Sequence, residues 1–119
     1  MTATPRETGA TAEDQALRFL EAQGLRLRAR NYRIRRGEID LVMQEADEIV
    51  FIEVRARTPG PFGDGVESIT PAKRRRLIAA AKAWLQRERG EPGARFDVIA
   101  LTPGEAQVEW IRDAFPADG

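Results

Sequence analysis

The sequence contains neither cysteine nor histidine. Without thiols it can form no disulfide bridge or thiolate zinc site, and without imidazoles it can form no Ser-His-Asp or Cys-His triad. Any catalysis must therefore use carboxylates, lysine, tyrosine or a metal-bound water. The chain also lacks an apolar run of about eighteen residues and a charged-then-apolar leader, so we expect a cytoplasmic protein without a membrane span.

A charge excess of either sign is absent too, because 19 basic residues balance 19 acidic ones among 119 residues. Attraction for nucleic acid can therefore only be local, and two basic runs, residues 26–36 and 73–76, offer it. Guanidinium groups bind phosphate oxygens bidentately, which favours arginine over lysine for this purpose. An arginine-rich coding habit would explain the excess of arginine equally well. The candidate nucleic-acid contacts are Arg28, Arg30, Arg33, Arg35, Arg36, Lys73 and Arg74.

Hydrophobic periodicity predicts a loose tail at residues 1–8 and a single domain over residues 9–119. Thr70 is predicted to cap the second helix, with Pro71 as its first residue. The predicted order α-β-β-β-α-β-β indicates an α/β or α+β fold, a central mixed sheet flanked by helices. Its segments are a helix at 9–23, strands at 25–34, 37–44 and 49–57, a loop at 58–70, a helix at 71–89, and strands at 95–101 and 106–111.

The second and third predicted strands bring two carboxylates together. If residues 45–48 form the loop between them, Asp40 lies opposite Glu53, and the supporting Glu38 lies opposite Arg55. Opposed like charges destabilise a sheet by up to about 1 kcal/mol, and a hard divalent cation would relieve the repulsion. A solvent-facing hairpin with a Glu38–Arg55 ion pair is the alternative. The opposite face of this hairpin, away from the charged residues, is apolar and is predicted to be core: Ile39, Leu41, Met43, Val50, Ile52 and Val54.

Glu13 is a third candidate carboxylate. On a helical wheel it lies between Leu17 and Leu20, at the edge of the apolar stripe of the first helix. A carboxylate in that position faces the sheet and requires a partner there. The alternative is an edge residue that reaches out to solvent.

A set of short motifs, in a fixed order from about Gly9 to Phe115, carries a family resemblance. They are Glu13-Asp14, Asn31-Tyr32-Arg33, Gly37-Glu38-Ile39-Asp40-Leu41, Phe51-Ile52-Glu53-Val54-Arg55-Ala56-Arg57, Phe62-Gly63, Lys73, Arg95-Phe96-Asp97-Val98 and Glu109-Trp110-Ile111. With these motifs the sequence resembles the bacterial YraN family, which is related to archaeal Holliday junction resolvases. The resemblance implies the restriction-endonuclease-like fold.

Nucleases of that fold hold Mg²⁺ with an aspartate on one strand and a Glu-x-Lys motif on the next, and the resolvases add a glutamate from the first helix. By resemblance the catalytic roles fall on Asp40, Glu53, Arg55 and Glu13, with Asp40 and Glu53 as ligands of Mg²⁺ or Mn²⁺ and the Val54 carbonyl as a further ligand. Arg55 departs from the pattern, because a guanidinium group cannot act as a general base near neutral pH. It can still orient water and stabilise charge on a phosphate.

Three functions agree with these features. The first is a metal-dependent endonuclease that hydrolyses phosphodiesters of branched or structured DNA. The second is a non-catalytic nucleic-acid-binding module of the same fold, and the third is a protein-interaction domain. Since related resolvases act as dimers, the resemblance also implies a homodimer with one site for each DNA strand.

Overall fold

A computed structural model describes residues 5–56, 69–102 and 107–116. The order of its elements is the predicted one, α-β-β-β-α-β-β. Most of the predicted loop at 58–70 lies outside the described residues. The same is true of the segment 102–105 between the last two predicted strands. The elements are α1 (Pro5–Ala22), β1 (Arg26–Ile34), β2 (Gly37–Glu45), β3 (Glu48–Ala56), α2 (Pro71–Gln86), β4 (Ala94–Leu101) and β5 (Val108–Phe115).

The five strands form one mixed sheet, in which they lie side by side in chain order. Neighbours are antiparallel except β3 and β4, which are parallel. Parallel strands cannot be joined by a tight turn, and the connection from β3 to β4 accordingly contains α2. The predicted α+β architecture with a central mixed sheet and flanking helices is confirmed.

Helix α1 begins at Pro5, inside the segment 1–8 for which we expected a loose tail. The fixed φ and missing N–H of proline suit a first helical turn, which explains the earlier start. The helix stops as predicted at Gly24, whose φ of 97° is the left-handed conformation that glycine adopts readily. The N–H of Leu25 then donates to the carbonyl of Leu20 and closes the last turn.

Helix α2 begins as predicted. The hydroxyl of Thr70 accepts the N–H of Lys73 at 3.2 Å, and Pro71 is the first helical residue. The helix ends at Gln86, three residues before the predicted end. There the N–H of Arg87 donates to the carbonyl of Trp84, and the N–H of Glu88 donates to the carbonyl of Leu85. Within the described ranges, neither helix is long and apolar enough to cross a membrane.

Core side chains cover both faces of the β2–β3 hairpin. Leu41 and Ile52 are buried in the cluster beneath α1, as predicted. Val42 and Phe51, on the face that we expected to carry charges, are buried in a second cluster beneath α2. The expectation of a single apolar face was therefore wrong, because each face of the sheet is packed against its own helix.

The alternation of β2 breaks at Asp40. Ile39 packs in the cluster beneath α2, whereas Leu41 packs beneath α1, although a regular strand would put both on one face. On the adjacent strand, Asn31 lies between the residues that pair with Ile39 and Leu41, and its φ is 50°. The break in alternation lies opposite this left-handed residue, and the predicted face of Ile39 was wrong.

At Gly37, the first residue of β2, the backbone of α2 lies directly against the sheet. A Cβ atom at this position would lie 1.9 Å from the carbonyl oxygen of Arg76. Because that oxygen belongs to the helix backbone, we expect Gly37→Ala to displace α2 and to lower the free energy of unfolding by roughly 3 kcal/mol. Gly93→Ala is the control, since nothing lies within 4 Å of its Cβ position. Equal urea midpoints for the two variants would refute the close contact.

Candidate functional site

The predicted register of β2 and β3 is confirmed over most of the hairpin. Backbone pairing runs from Glu45–Glu48 to Leu41–Ile52 in the predicted register. The loop is shorter than predicted, since Glu45 and Glu48 are themselves paired and only residues 46 and 47 connect the strands. The ladder ends there, so the expected backbone pairs Asp40–Glu53 and Glu38–Arg55 do not form. Asp40 and Glu53 are thus the first residues beyond the last pair, at the place where the two strands stop pairing.

The Asp40 side chain takes over a backbone partner at this point. Its Oδ2 accepts the N–H of Val54 at 2.8 Å. A carboxylate in place of a strand carbonyl satisfies the donor on β3 and fixes the orientation of the Asp40 side chain. The candidate site therefore lies where β2 and β3 stop pairing.

Glu53 is buried although it is charged. Only 6% of the residue is exposed. Its Oε1 lies 2.6 Å from Nζ of Lys73 and 3.8 Å from Nη1 of Arg55. Glu38, in turn, pairs with Arg33 at 2.8 Å. A solvent-facing hairpin with a Glu38–Arg55 ion pair does not describe this arrangement, and the compensation for the buried charge comes largely from α2.

Burial raises the pKa of Asp40 from 3.8 to about 7, and the adjacent Glu53 carboxyl group contributes to the rise. The N–H of Val54 and the charge of Lys73 oppose it. Two carboxyl groups so close together in a low-dielectric environment cannot both ionise without a further positive charge. A further cation beside the pair would favour the ionised form of Asp40.

Glu13 faces the site from α1. Its Oε1 is buried and has no hydrogen-bond partner among the described residues. Burial raises the pKa of Glu13, and the charge of Asp40 is the next cause. Across the described residues, however, no three acidic side chains are close enough to form a metal-binding cluster. The candidate metal ligands are thus the pair Asp40 and Glu53, with Glu13 beside them.

A cavity of about 120 Å³ lies between β2, β3 and α2. It has room for an ion together with a few water molecules. We did not predict that Arg76 and Leu77 belong to it. A helical wheel contained the signal, because residues three and four positions after Lys73 share its face of the helix. The lining residues are Glu38, Asp40, Glu53, Lys73, Arg76 and Leu77.

The arginines of β1 do not form one basic face. Arg28 pairs with Glu88 at 2.7 Å and lies over the ring of Trp84, on the α2 side of the sheet. Arg30 pairs at 2.8 Å with Asp14, on the α1 side. Arg33 pairs with Glu38, so three of the predicted phosphate contacts on β1 are engaged within the protein.

Other predicted phosphate contacts lie nearer to the cavity. Arg35 and Arg36 are exposed in the turn that leads into β2, directly before the close contact of Gly37 with α2. Arg74 lies on α2, but its guanidinium group packs 5.3 Å from the ring centre of Phe115. The exposed basic groups beside the cavity are therefore those of the β1–β2 turn and of Arg76.

The sequence is similar to proteins of one known family. Residues 12–101 match the profile described as Uncharacterised protein family UPF0102. A UPF0102 protein of Nitrosococcus oceani is 52% identical over 117 residues, which is 95% of this chain and 94% of that protein. One from Ralstonia nicotianae is 55% identical over 113 residues (91% and 85%), and one from Pseudomonas putida is 45% identical over 118 residues (95% and 96%). All of the cavity residues fall within the matched region.

Proposed function

This chain belongs to the Uncharacterised protein family UPF0102, and on that premise we propose that it is a metal-dependent endonuclease that hydrolyses phosphodiester bonds of branched or structured DNA. The predicted membership in the YraN family is confirmed with it, since both names denote one family. The observation that carries the proposal is the pair of neighbouring carboxyl groups, Asp40 and Glu53, in one cavity at the end of the β2–β3 ladder.

The donor set suits a hard divalent cation. Mg²⁺ is commonly held by one or two carboxylates and keeps several water ligands, which agrees with two acidic residues and a cavity wide enough for water. Asp40 and Glu53 would hold the ion, with the Val54 carbonyl as a further ligand. When bound, Mg²⁺ or Mn²⁺ lowers the pKa of a water molecule and polarises the phosphodiester.

The surrounding residues prepare the site for this chemistry. The Val54 N–H holds the Asp40 carboxylate in one orientation, and Lys73 and Arg55 hold Glu53. A guanidinium group is a poor general base, so the role of Arg55 is to stabilise negative charge on the phosphate. Arg76 and the exposed arginines of the β1–β2 turn offer contacts to the DNA backbone on either side of the cavity.

Cleavage assays with junction, flap and duplex DNA test the proposal. With Mn²⁺ or Mg²⁺ the wild type is expected to cut at least one branched substrate. Asp40→Asn and Glu53→Gln should each lower the rate at least about a hundredfold, since even indirect partners of metal ligands contribute up to that factor. Asp47→Asn, in the exposed β2–β3 turn, is the control and should cut at the wild-type rate. Intact DNA in every wild-type reaction would contradict the proposal.

One observation favours a second candidate, binding without cleavage. Arg55 stands in place of the lysine of the nuclease pattern, and Glu53 is already neutralised by Lys73 within the protein. A non-catalytic module would bind DNA in EDTA, with an affinity that falls steeply as salt rises because counterions are released. Such binding without any cleavage would favour this candidate over the nuclease.

A further inference from the structure

Lys73 is the cation closest to the carboxylate pair. Its Nζ lies 2.6 Å from Oε1 of Glu53, whereas Nη1 of Arg55 lies 3.8 Å from the same oxygen. The lysine comes from α2, and the arginine comes from the same strand as Glu53. A lysine from the helix therefore occupies the place beside the glutamate that a Glu-x-Lys motif would fill from the strand.

The backbone of Lys73 is fixed while its side chain keeps some freedom. Its N–H donates to the Thr70 hydroxyl in the cap of α2, which holds the first turn of the helix. Its side chain is nevertheless 43% exposed, although it lines the cavity. An ammonium group on a flexible four-carbon stem can change partners without a backbone movement.

The charge balance of the cavity depends on this ammonium group. In the metal-free protein, Lys73 compensates the burial of Glu53 and lowers the charge density of the carboxyl pair. A divalent cation bound by Asp40 and Glu53 would repel an ammonium group at hydrogen-bonding distance from the same carboxylate. The ammonium group would then leave Glu53, and a phosphate oxygen at the mouth of the cavity is a suitable new partner.

We infer that Lys73 is a further catalytic residue of the proposed nuclease: its ammonium group neutralises Glu53 before the metal binds and contacts the phosphodiester afterwards. The inference rests on the proposed function. Lys73 thereby adds a mobile cation from the helix to the fixed, planar charge that Arg55 offers from the strand. Lys73 was predicted only as a contact to the nucleic-acid backbone.

Substitution of Lys73 by methionine separates this role from a purely structural ion pair. Because a competing cation is removed, the Lys73→Met variant should bind Mn²⁺ about tenfold more tightly at pH 8 by calorimetry. It should nevertheless cleave branched DNA about a hundredfold more slowly, because the charge aimed at the phosphate is lost. Lys82→Met, which removes an exposed lysine from the same helix outside the two basic runs, should change neither value appreciably.

A double variant keeps the test decisive if Lys73→Met folds poorly. Arg55→Lys combined with Lys73→Met moves the ammonium group to β3 beside Glu53, and it should recover at least about tenfold of the lost cleavage rate. If the wild type binds Mn²⁺ and cleaves DNA while Lys73→Met does both equally well, only the inference about Lys73 is refuted. If the wild type neither binds Mn²⁺ nor cleaves, the proposed function fails and the inference fails with it.

Discussion

Asp40→Asn is expected to stabilise the metal-free protein at pH 8. Burial, followed by the neighbouring charge of Glu53, raises the pKa of Asp40 from 3.8 to about 7, so the folded protein holds this proton more tightly than the unfolded chain does. The difference corresponds to roughly 3–4 kcal/mol of stability that is present below pH 4. It is lost as the pH rises through the folded-state value near 7. An asparagine side chain has no charge to bury, and its oxygen can still accept the N–H of Val54.

The measurement is a urea titration of both proteins between pH 4 and pH 8 in EDTA. For the wild type, the contribution of Asp40 lowers the free energy of unfolding across this window. For Asp40→Asn, that contribution is absent, so the difference between the two proteins should grow steadily with pH. Asp47→Asn removes the same charge from an exposed turn and should stay within about 0.5 kcal/mol of the wild type. A wild type that is more stable than Asp40→Asn at pH 8 would contradict this interpretation.

Asp97→Asn is expected to lower the free energy of unfolding by about 3 kcal/mol and Tm by roughly 10 °C. Asp97 is 1% exposed, and its carboxylate accepts hydrogen bonds from four nitrogen donors on three residues. These are Nε and Nη2 of Arg95 at 3.0 and 3.2 Å, Nε1 of Trp110 at 2.8 Å and the N–H of Asp113 at 2.9 Å. An amide has one acceptor oxygen, and its NH₂ group would face a donor, so at least one buried donor would lose its partner.

The control for Asp97→Asn lies on the neighbouring strand. Asp113 is exposed and has a φ of 50°, a conformation that asparagine tolerates well. Asp113→Asn removes the same charge without touching the buried carboxylate and should shift the stability by less than about 0.5 kcal/mol. Thermal unfolding of both variants tests the comparison. Equal melting temperatures for them would mean that Asp97 does not organise this end of the sheet.

The β2–β3 hairpin shows which features of the fold could be predicted from the sequence and which could not. A short polar loop between two apolar strands determines the register, because strand period and loop length leave one pairing that buries the apolar residues. The end of the ladder at Leu41–Ile52 was not predictable in the same way. The left-handed Asn31 on β1 and the close contact of Gly37 with α2 lie near this point, and the strand pattern predicts neither of them.

The site was predictable in its carboxylates but not in its cations. Asp40 and Glu53 are neighbours through one local hairpin, which the pattern of the strands reveals. Lys73 reaches Glu53 only because α2 crosses over the sheet between two parallel strands, and no local pattern fixes that path. The pairing of Arg28 with Glu88 is equally non-local, since 60 positions separate the two residues.

The metal site is tested most directly by a calorimetric titration of the wild type and of Asp40→Asn with Mn²⁺. The same comparison is then made by melting temperature. The wild type should bind the ion at one site. At a hundredfold excess over Kd, its folded state should gain about 2.7 kcal/mol, because the ion binds only the folded protein. Asp40→Asn should show neither the heat of binding nor the rise in Tm. Identical heats and identical melting curves for the two proteins would contradict a metal site at Asp40 and Glu53.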